Sequence, residues 1–320
     1  MSPMNAHYPT KAIIEAAHDR IRPYIHRTPI LTCQTLNEIS GAALHFKCEN
    51  FQKIGAFKAR GGLNAVLSLS PEEQSRGIAT HSSGNHAQAI AYAASVVGAK
   101  AYIVMPDNSP EVKVNAVRGY GAEVTFCQNT PEERQRTVEE VIARTGAEFV
   151  HPFNDYRVIA GQATAARELI ADSGVAFDTI MAPVGGGGLL SGTALAVHYY
   201  SPGTKVIAGE PEGAADAVLS FKSGKIEKAP YVNTIADGLL TYLGDKTLDI
   251  ILDHVQDILT VSDEEIIAAM RLIWERMKII IEPSCAVPFA ALLKNKERFV
   301  GQKVGIILTG GNVDLGRLPF

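Results

Sequence analysis

Residues 184–189 read Val-Gly-Gly-Gly-Gly-Leu and hold the sharpest chemistry in the chain. Gly185, Gly186, Gly187 and Gly188 have no Cβ, so their N–H groups can close around a phosphate. A helix opening near Leu189 adds a favourable field. The plain alternative is a flexible turn. A turn needs one or two glycines, however, and each extra one costs about 0.5–1 kcal/mol in a regular element. The segment lacks the Lys-Ser/Thr ending of nucleotide loops and the spaced glycines of dinucleotide sites. A small phosphate monoester fits it better.

Lys58 sits in Gly-Ala-Phe-Lys-Ala-Arg-Gly, at a loop-to-helix junction among small and aromatic residues. A desolvated lysine there has a lowered pKa, which suits imine formation and then proton abstraction. Alone it reads as an ordinary solvated lysine; beside a phosphate cup the reactive reading gains. A third segment runs His81-Ser82-Ser83-Gly84-Asn85-His86. Its hydroxyls, amide and helix-start N–H groups can grip a carboxylate, and they equally suit a capped helix start. His86 is a catalytic candidate or a structural histidine.

Thr309 ends an apolar strand before Gly310 and Gly311, where its hydroxyl can meet a ring nitrogen or simply close a turn. Glu210, Ala214 and Asp216 offer two carboxylates with a backbone carbonyl between them. That set suits a hard cation with oxygen ligands, or an acidic helix start.

The elements that must position these residues alternate along the chain. Short β-branched runs at 43–48, 77–81, 101–105, 123–127, 148–151, 179–184, 205–209 and 304–309 are separated by amphipathic helical stretches at 85–97, 111–120, 131–145, 158–172 and 263–278. A further helix is expected over 63–69. Such alternation predicts an α/β fold, with parallel twisted sheets wrapped by helices and ligands beyond the carboxyl ends of the strands. Four strand–helix units between about residues 77 and 151 predict a small domain at 71–151. The large one then takes 1–70 and 152–320.

The chain has 320 residues, 46% hydrophobic and 20% charged, enough for a large core shared by two domains. A net charge of −4 without a basic run argues against nucleic acid or an anionic membrane as partner. The first ten residues show neither a basic start nor an apolar core, so no leader is expected. Cys33, Cys48, Cys127 and Cys285 lack paired spacing and read as reduced thiols, which points to the cytoplasm.

The lysine segment, the Ser-Ser-Gly-Asn-His-Ala-Gln loop, Val-Ile-Ala-Gly-Gln at 158–162, the tetraglycine and Thr-Gly-Gly-Asn resemble the fold-type II pyridoxal-phosphate enzymes, in the right order and over nearly the whole chain. The fold implied is tryptophan synthase β-like. The close match is to the group of serine racemases, serine/threonine dehydratases and 3-hydroxyaspartate dehydratases. Threonine dehydratases typically carry alanine where this chain has Ser83.

The resemblance implies that Lys58 holds pyridoxal 5'-phosphate as a Schiff base and serves as base on one face. Gly185 to Gly188 and Leu189 would bind the phosphate, Asn85 the phenolic oxygen and Thr309 the pyridine nitrogen, with Phe57 against the ring. Ser82, Ser83, Asn85 and His86 would hold the substrate carboxylate, and Arg134 would reach a second one. Glu210, the Ala214 carbonyl and Asp216 match the family's divalent-cation site, for Mg, Mn or Ca. A homodimer is implied. Lys53, Gln88, Tyr120, Lys278 and Asn312 resemble an interface nucleotide site, so a nucleotide effector stays open.

The expected reaction is β-elimination from a small hydroxy-amino acid such as L-serine, L-threonine or 3-hydroxyaspartate, together with serine racemisation. Neutral Thr309 cannot keep a proton on the pyridine nitrogen as an aspartate could, which suits a prompt leaving group. Racemisation needs a donor on the opposite face, and Ser83 has the chemistry for it. The alternatives are a dedicated 3-hydroxyaspartate ammonia-lyase with little racemisation, a β-replacement enzyme, and a non-catalytic phosphate-ligand binding protein.

Overall fold

A computed structural model describes residues 8–320. The reading of the first ten residues falls mostly on 1–7, outside the described residues.

The strands are β1 (Ile30–Leu31), β2 (Ala43–Cys48), β3 (Ile78–His81), β4 (Ala101–Pro106), β5 (Glu123–Cys127), β6 (Glu148–Phe149), β7 (Thr179–Pro183), β8 (Lys205–Pro211), β9 (Asp257–Val261) and β10 (Lys303–Leu308). They build two sheets, in orders β1-β2-β10-β7-β8-β9 and β5-β4-β3-β6. Every pairing is parallel except β1 with β2.

Helices cover both faces of the six-stranded sheet, so β7 is buried at all five positions and β10 at all but its first. Alternation survives as a choice of core. Met181, Ile207 and Ile306 face one cluster, with the helices Asp263–Met277 and Pro283–Lys294. Ile180, Val206, Ala208 and Ile307 face another, with Tyr156–Asp172 and Gly188–Tyr200. The four-stranded sheet packs Ile78, Ile103 and Met105 against Lys58–Leu67 and Asn85–Val96.

Helix ends follow local chemistry. Ser262 and Glu265 form a reciprocal capping box at the start of Asp263–Met277. Gly146, at φ +71°, ends Pro131–Thr145 in the left-handed region that glycine adopts freely.

Several boundaries differ from the sequence expectations. The helix expected over 63–69 starts at Lys58, so the lysine lies in its first turn. The run at 148–151 shortens to two paired residues, Glu148 and Phe149, although the Val150 amide still donates to the Ala79 carbonyl at 3.0 Å before the chain leaves the sheet. Strand β9 is an element the sequence expectations lack, although Ile258-Leu259-Thr260-Val261 is itself a short β-prone run; its pairing with β8 fixes it. Among the described residues, no helix is long and apolar enough to cross a membrane.

Candidate active site

The predicted loops lie at the carboxyl ends of parallel strands, and Arg134 lies on the helix Pro131–Thr145. β2 leads to Lys58, β3 to Ser82–Asn85, β7 to the glycines and β10 to Thr309, while Glu210 is the penultimate residue of β8 itself, ahead of Ala214 and Asp216.

Lys58 is partly buried, and burial pushes its amine down to about 8. Its Nζ donates to the Pro152 carbonyl at 3.0 Å and lies 5.2 Å from the centroid of the Phe57 ring. The loop before it is strained. Ile54, a β-branched residue, adopts φ +60°, a backbone conformation such residues rarely take. Its carbonyl accepts from Asn312 Nδ2 at 2.8 Å, and the Gly55 carbonyl accepts from the Gly311 amide at 2.9 Å. The lysine loop is therefore fastened to the loop after β10.

The Thr309 hydroxyl is buried and has no oxygen or nitrogen hydrogen-bond partner; the Cys285 thiol, a weak partner, lies against it. An unpaired buried hydroxyl is costly, so this one is an open position for a polar ligand atom. The Cys285 thiol is close by and is pushed up by its burial, which keeps it protonated.

The glycine cup is closed on three sides. A Cβ on Gly186 would stand 2.3 Å from the Phe153 ring, and one on Gly185 would stand 2.9 Å from Leu239 Cα. Gly187 adopts φ +88°, and the Thr247 hydroxyl donates to the Gly186 carbonyl at 2.9 Å. The following helix runs Gly188–Tyr200, one residue earlier than expected, and its first intrahelical bond is Ser191 N–H to Gly187. The N–H groups of Gly188, Leu189 and Leu190 have no partner within the helix. Amides without a Cβ and a helix start are a donor set for phosphate.

The capped-helix alternative for Ser83 and Asn85 is not realised. Gly84 is the N-cap of Asn85–Val96, without a side-chain cap. Asn85 instead donates to Glu282 at 2.9 Å and accepts from Asn312 at 2.8 Å. Burial, then the charge of Asp237, raises the Glu282 carboxyl to about 7 against the hydrogen bond from Asn85. The Ser82 hydroxyl accepts from the Gly84 amide, and Ser83 is partly buried beside it. The His86 ring is buried, with Nε2 3.4 Å from the Val150 carbonyl. Burial first and Lys58 second hold it well below the ordinary histidine range, so it is a neutral wall of the site.

Arg134 donates to Asn129 and leaves a buried Nε unpartnered. Its charge adds to burial in lowering His81, which places it near the end of β3. Glu210 accepts from the amides of Ala217 and Val218 at 2.6 and 2.9 Å, so half of the acidic-helix-start alternative is real. Asp216 retains a buried Oδ2 without partner. Burial raises the two carboxyls to about 8 and about 7.

Sequence reasoning missed His151, Pro152, Phe153, Thr247 and Glu282. The first three follow β6 and precede the helix Tyr156–Asp172, the same strand-to-helix position as the recognised loops. That position was their only signal.

A reactive lysine in the first turn of a helix, an orphaned hydroxyl and a glycine cup, all at strand ends of a two-sheet parallel fold, define the pyridoxal-phosphate class. The chain belongs to the pyridoxal-phosphate dependent enzyme family, whose model matches residues 21–310. It is 51% identical over 312 residues to a beta-hydroxyaspartate dehydratase of Paracoccus denitrificans, covering 98% of this chain and 99% of that protein. It is 50% identical over 309 residues to a serine racemase of Dictyostelium discoideum, covering 95% of each. The crystal structure of Dictyostelium discoideum serine racemase superposes with a TM-score of 0.91 at 51% identity, over 96% of this chain and 99% of that one.

Proposed function

We propose that this enzyme converts a small 3-hydroxy amino acid (3-hydroxyaspartate, serine or threonine) to its 2-oxo acid and ammonia, the water lost on β-elimination being regained when the resulting imine hydrolyses, and that it also racemises serine. The observation that carries this reading is the Lys58 amine, lowered to about 8 and turned toward the turn that covers the glycine cup. When bound, the cofactor supplies an electron sink for the α-carbon. Lys58 would hold it, and its Nζ would accept the α-proton and could return that proton to the departing β-hydroxyl, which leaves as water. Gly185 to Gly188 with Leu189 receive the phosphate, Thr309 donates its unpaired hydroxyl, and Asn85 and Phe57 orient the ring. Ser82, Ser83, Asn85 and the His86 segment hold the substrate carboxylate. Ser83 also offers a proton on the face opposite Lys58. Arg134 receives a second carboxylate through its unpartnered Nε.

Glu210, the Ala214 carbonyl and Asp216 hold a divalent cation in this reading. The orphaned Asp216 oxygen and two carboxyls raised by burial fit a positive ion. Two sheets support the division into 71–151 and the remainder. Four free cysteines support the cytoplasm. A homodimer with a nucleotide effector near Asn312 completes the proposal; Asn312 already bridges the lysine loop and Asn85.

The test is an activity panel over both enantiomers of serine, threonine and 3-hydroxyaspartate, with and without Mg²⁺. Borohydride reduction followed by peptide mapping should place the label on Lys58. A label elsewhere, or no 2-oxo acid from any of these substrates, would overturn the reading.

A further inference from the structure

The turn after β6 touches both halves of the site. Pro152 supplies the carbonyl that accepts from Lys58, and Phe153 supplies the ring against Gly186. The Asn154 side chain ties the turn to the next loop, donating to Asp245 at 2.6 Å and accepting from the Lys246 amide at 3.1 Å. The turn is folded by its first residue. His151 Nδ1 accepts from the amide of Asn154 at 2.9 Å and from that of Phe153 at 3.3 Å. A nitrogen that accepts two N–H groups carries no proton, so the ring proton is on Nε2. Packing fixes the ring plane: Phe153 lies edge-on at 4.6 Å, Phe149 at 6.0 Å and His81 at 6.2 Å between centroids.

We propose that His151 is a positioning residue whose Nδ1 lone pair shapes the 152–154 turn, and through it the seat of Lys58 and the wall of the phosphate cup. The proposal rests on the reading of Lys58 and Gly185–Gly188 as the cofactor site. The groups that act on the ring are His81 on β3, Asp155 and Lys58 on the flanking elements, and Lys246 beyond the turn. Burial first, and His81 second, hold it down to about 4, so the acceptor form persists throughout the neutral range. An asparagine side chain presents an oxygen at nearly the place of Nδ1. A glutamine presents one nearer Nε2, and a phenylalanine presents none.

The experiment compares wild type with His151→Asn, His151→Gln and His151→Phe. Cofactor-free proteins are titrated with pyridoxal 5'-phosphate, and hydrogen exchange is followed at the Phe153 and Asn154 amides. The Phe and Gln variants should weaken cofactor binding about tenfold, the scale of losing one acceptor shared by two amides. They should also exchange both amides faster, while His151→Asn stays within about threefold of wild type in binding and keeps the protection. Equal binding and equal protection in wild type and His151→Phe would overturn the proposal. So would an Asn variant as impaired as the Phe variant with an unchanged melting temperature. Should wild type itself fail to bind the cofactor, the site reading falls, and amide exchange in the cofactor-free proteins still decides the role of His151.

Discussion

The backbone N–H of Phe57 donates to the carbonyl of Thr309 at 2.9 Å. The residue before the reactive lysine and the residue with the orphaned hydroxyl are thus one hydrogen bond apart, although 252 positions separate them in sequence. A bridge between Ala56 and Gly310 extends the joint by one residue on each side. The backbone that carries Lys58 and the backbone that carries Thr309 cannot separate without breaking this pairing. A rigid spacing of this kind is what a planar ligand held at two points requires.

Replacing Lys58 by alanine should abolish covalent cofactor attachment and turnover. The residue caps no helix and makes no ion pair, so the fold should persist. Circular dichroism should match wild type, while the absorbance of the bound cofactor shifts and borohydride fixes no label. Retained turnover would exclude Lys58 as the base.

Gly186→Ala should weaken cofactor binding without unfolding the protein. The new Cβ would come within 2.3 Å of the Phe153 ring. That ring must move away, and overpacking of this kind costs about 1–3 kcal/mol. The expected readout is a cofactor dissociation constant raised roughly tenfold or more, with the far-ultraviolet spectrum unchanged. Gly203→Ala, with open space at its Cβ, is the matched control.

The loops were legible because each breaks a pattern: four glycines after β7, a lysine among small residues after β2, two serines after β3. Their convergence was not legible. Lys58 meets Pro152 across 94 positions, and Asn85 meets Glu282 across 197. Contacts of that span are set by how two sheets face each other. His151 and Phe153 looked ordinary because neither glycine content nor charge marks them.

Glu168→Gln should destabilise the fold in a pH-dependent way. The Glu168 carboxylate, almost fully buried, bonds Lys47 and Arg60, each at 2.7 Å, two residues beyond Lys58 on the helix. Burial alone would raise its pKa, but the hydrogen bonds and charges of Arg60 and Lys47 outweigh it and hold the group at about 2. The folded value lies below the ordinary 4.5. Its stabilisation is therefore complete above that ordinary value and is lost as pH falls toward 2. Removing the charge leaves two buried cations with Glu49 alone, a loss of about 3–5 kcal/mol. Urea unfolding at pH 7 should show that loss, and the gap to wild type should narrow below pH 4. A gap independent of pH would point to packing instead.

Chelation should lower the melting temperature of the wild type, and Asp216→Asn should remove the response. A cation that binds only the folded form stabilises it by mass action. The variant loses one of two ligand charges while keeping nearly the same volume. Scanning calorimetry with EDTA, then with excess Mg²⁺, checks both halves. An Asn variant that still responds like wild type would move the cation site elsewhere.

Ser83→Ala should separate the two reactions. Elimination needs one base, assigned in the proposed reaction to Lys58; racemisation also needs a proton delivered from the opposite face. If Ser83 delivers it, the alanine variant keeps 2-oxo acid formation from L-serine within about threefold and loses D-serine formation by about 10²-fold or more. If Ser83 only binds the carboxylate, both rates fall together and KM rises, because substrate binding is common to the two routes. Solvent deuterium makes the distinction independent of absolute rates. Residual L-serine recovered from the variant should carry α-deuterium placed by Lys58 with its configuration retained, whereas wild type should place deuterium in both enantiomers. Deuterated D-serine from the variant at the wild-type rate would assign the second donor to another group.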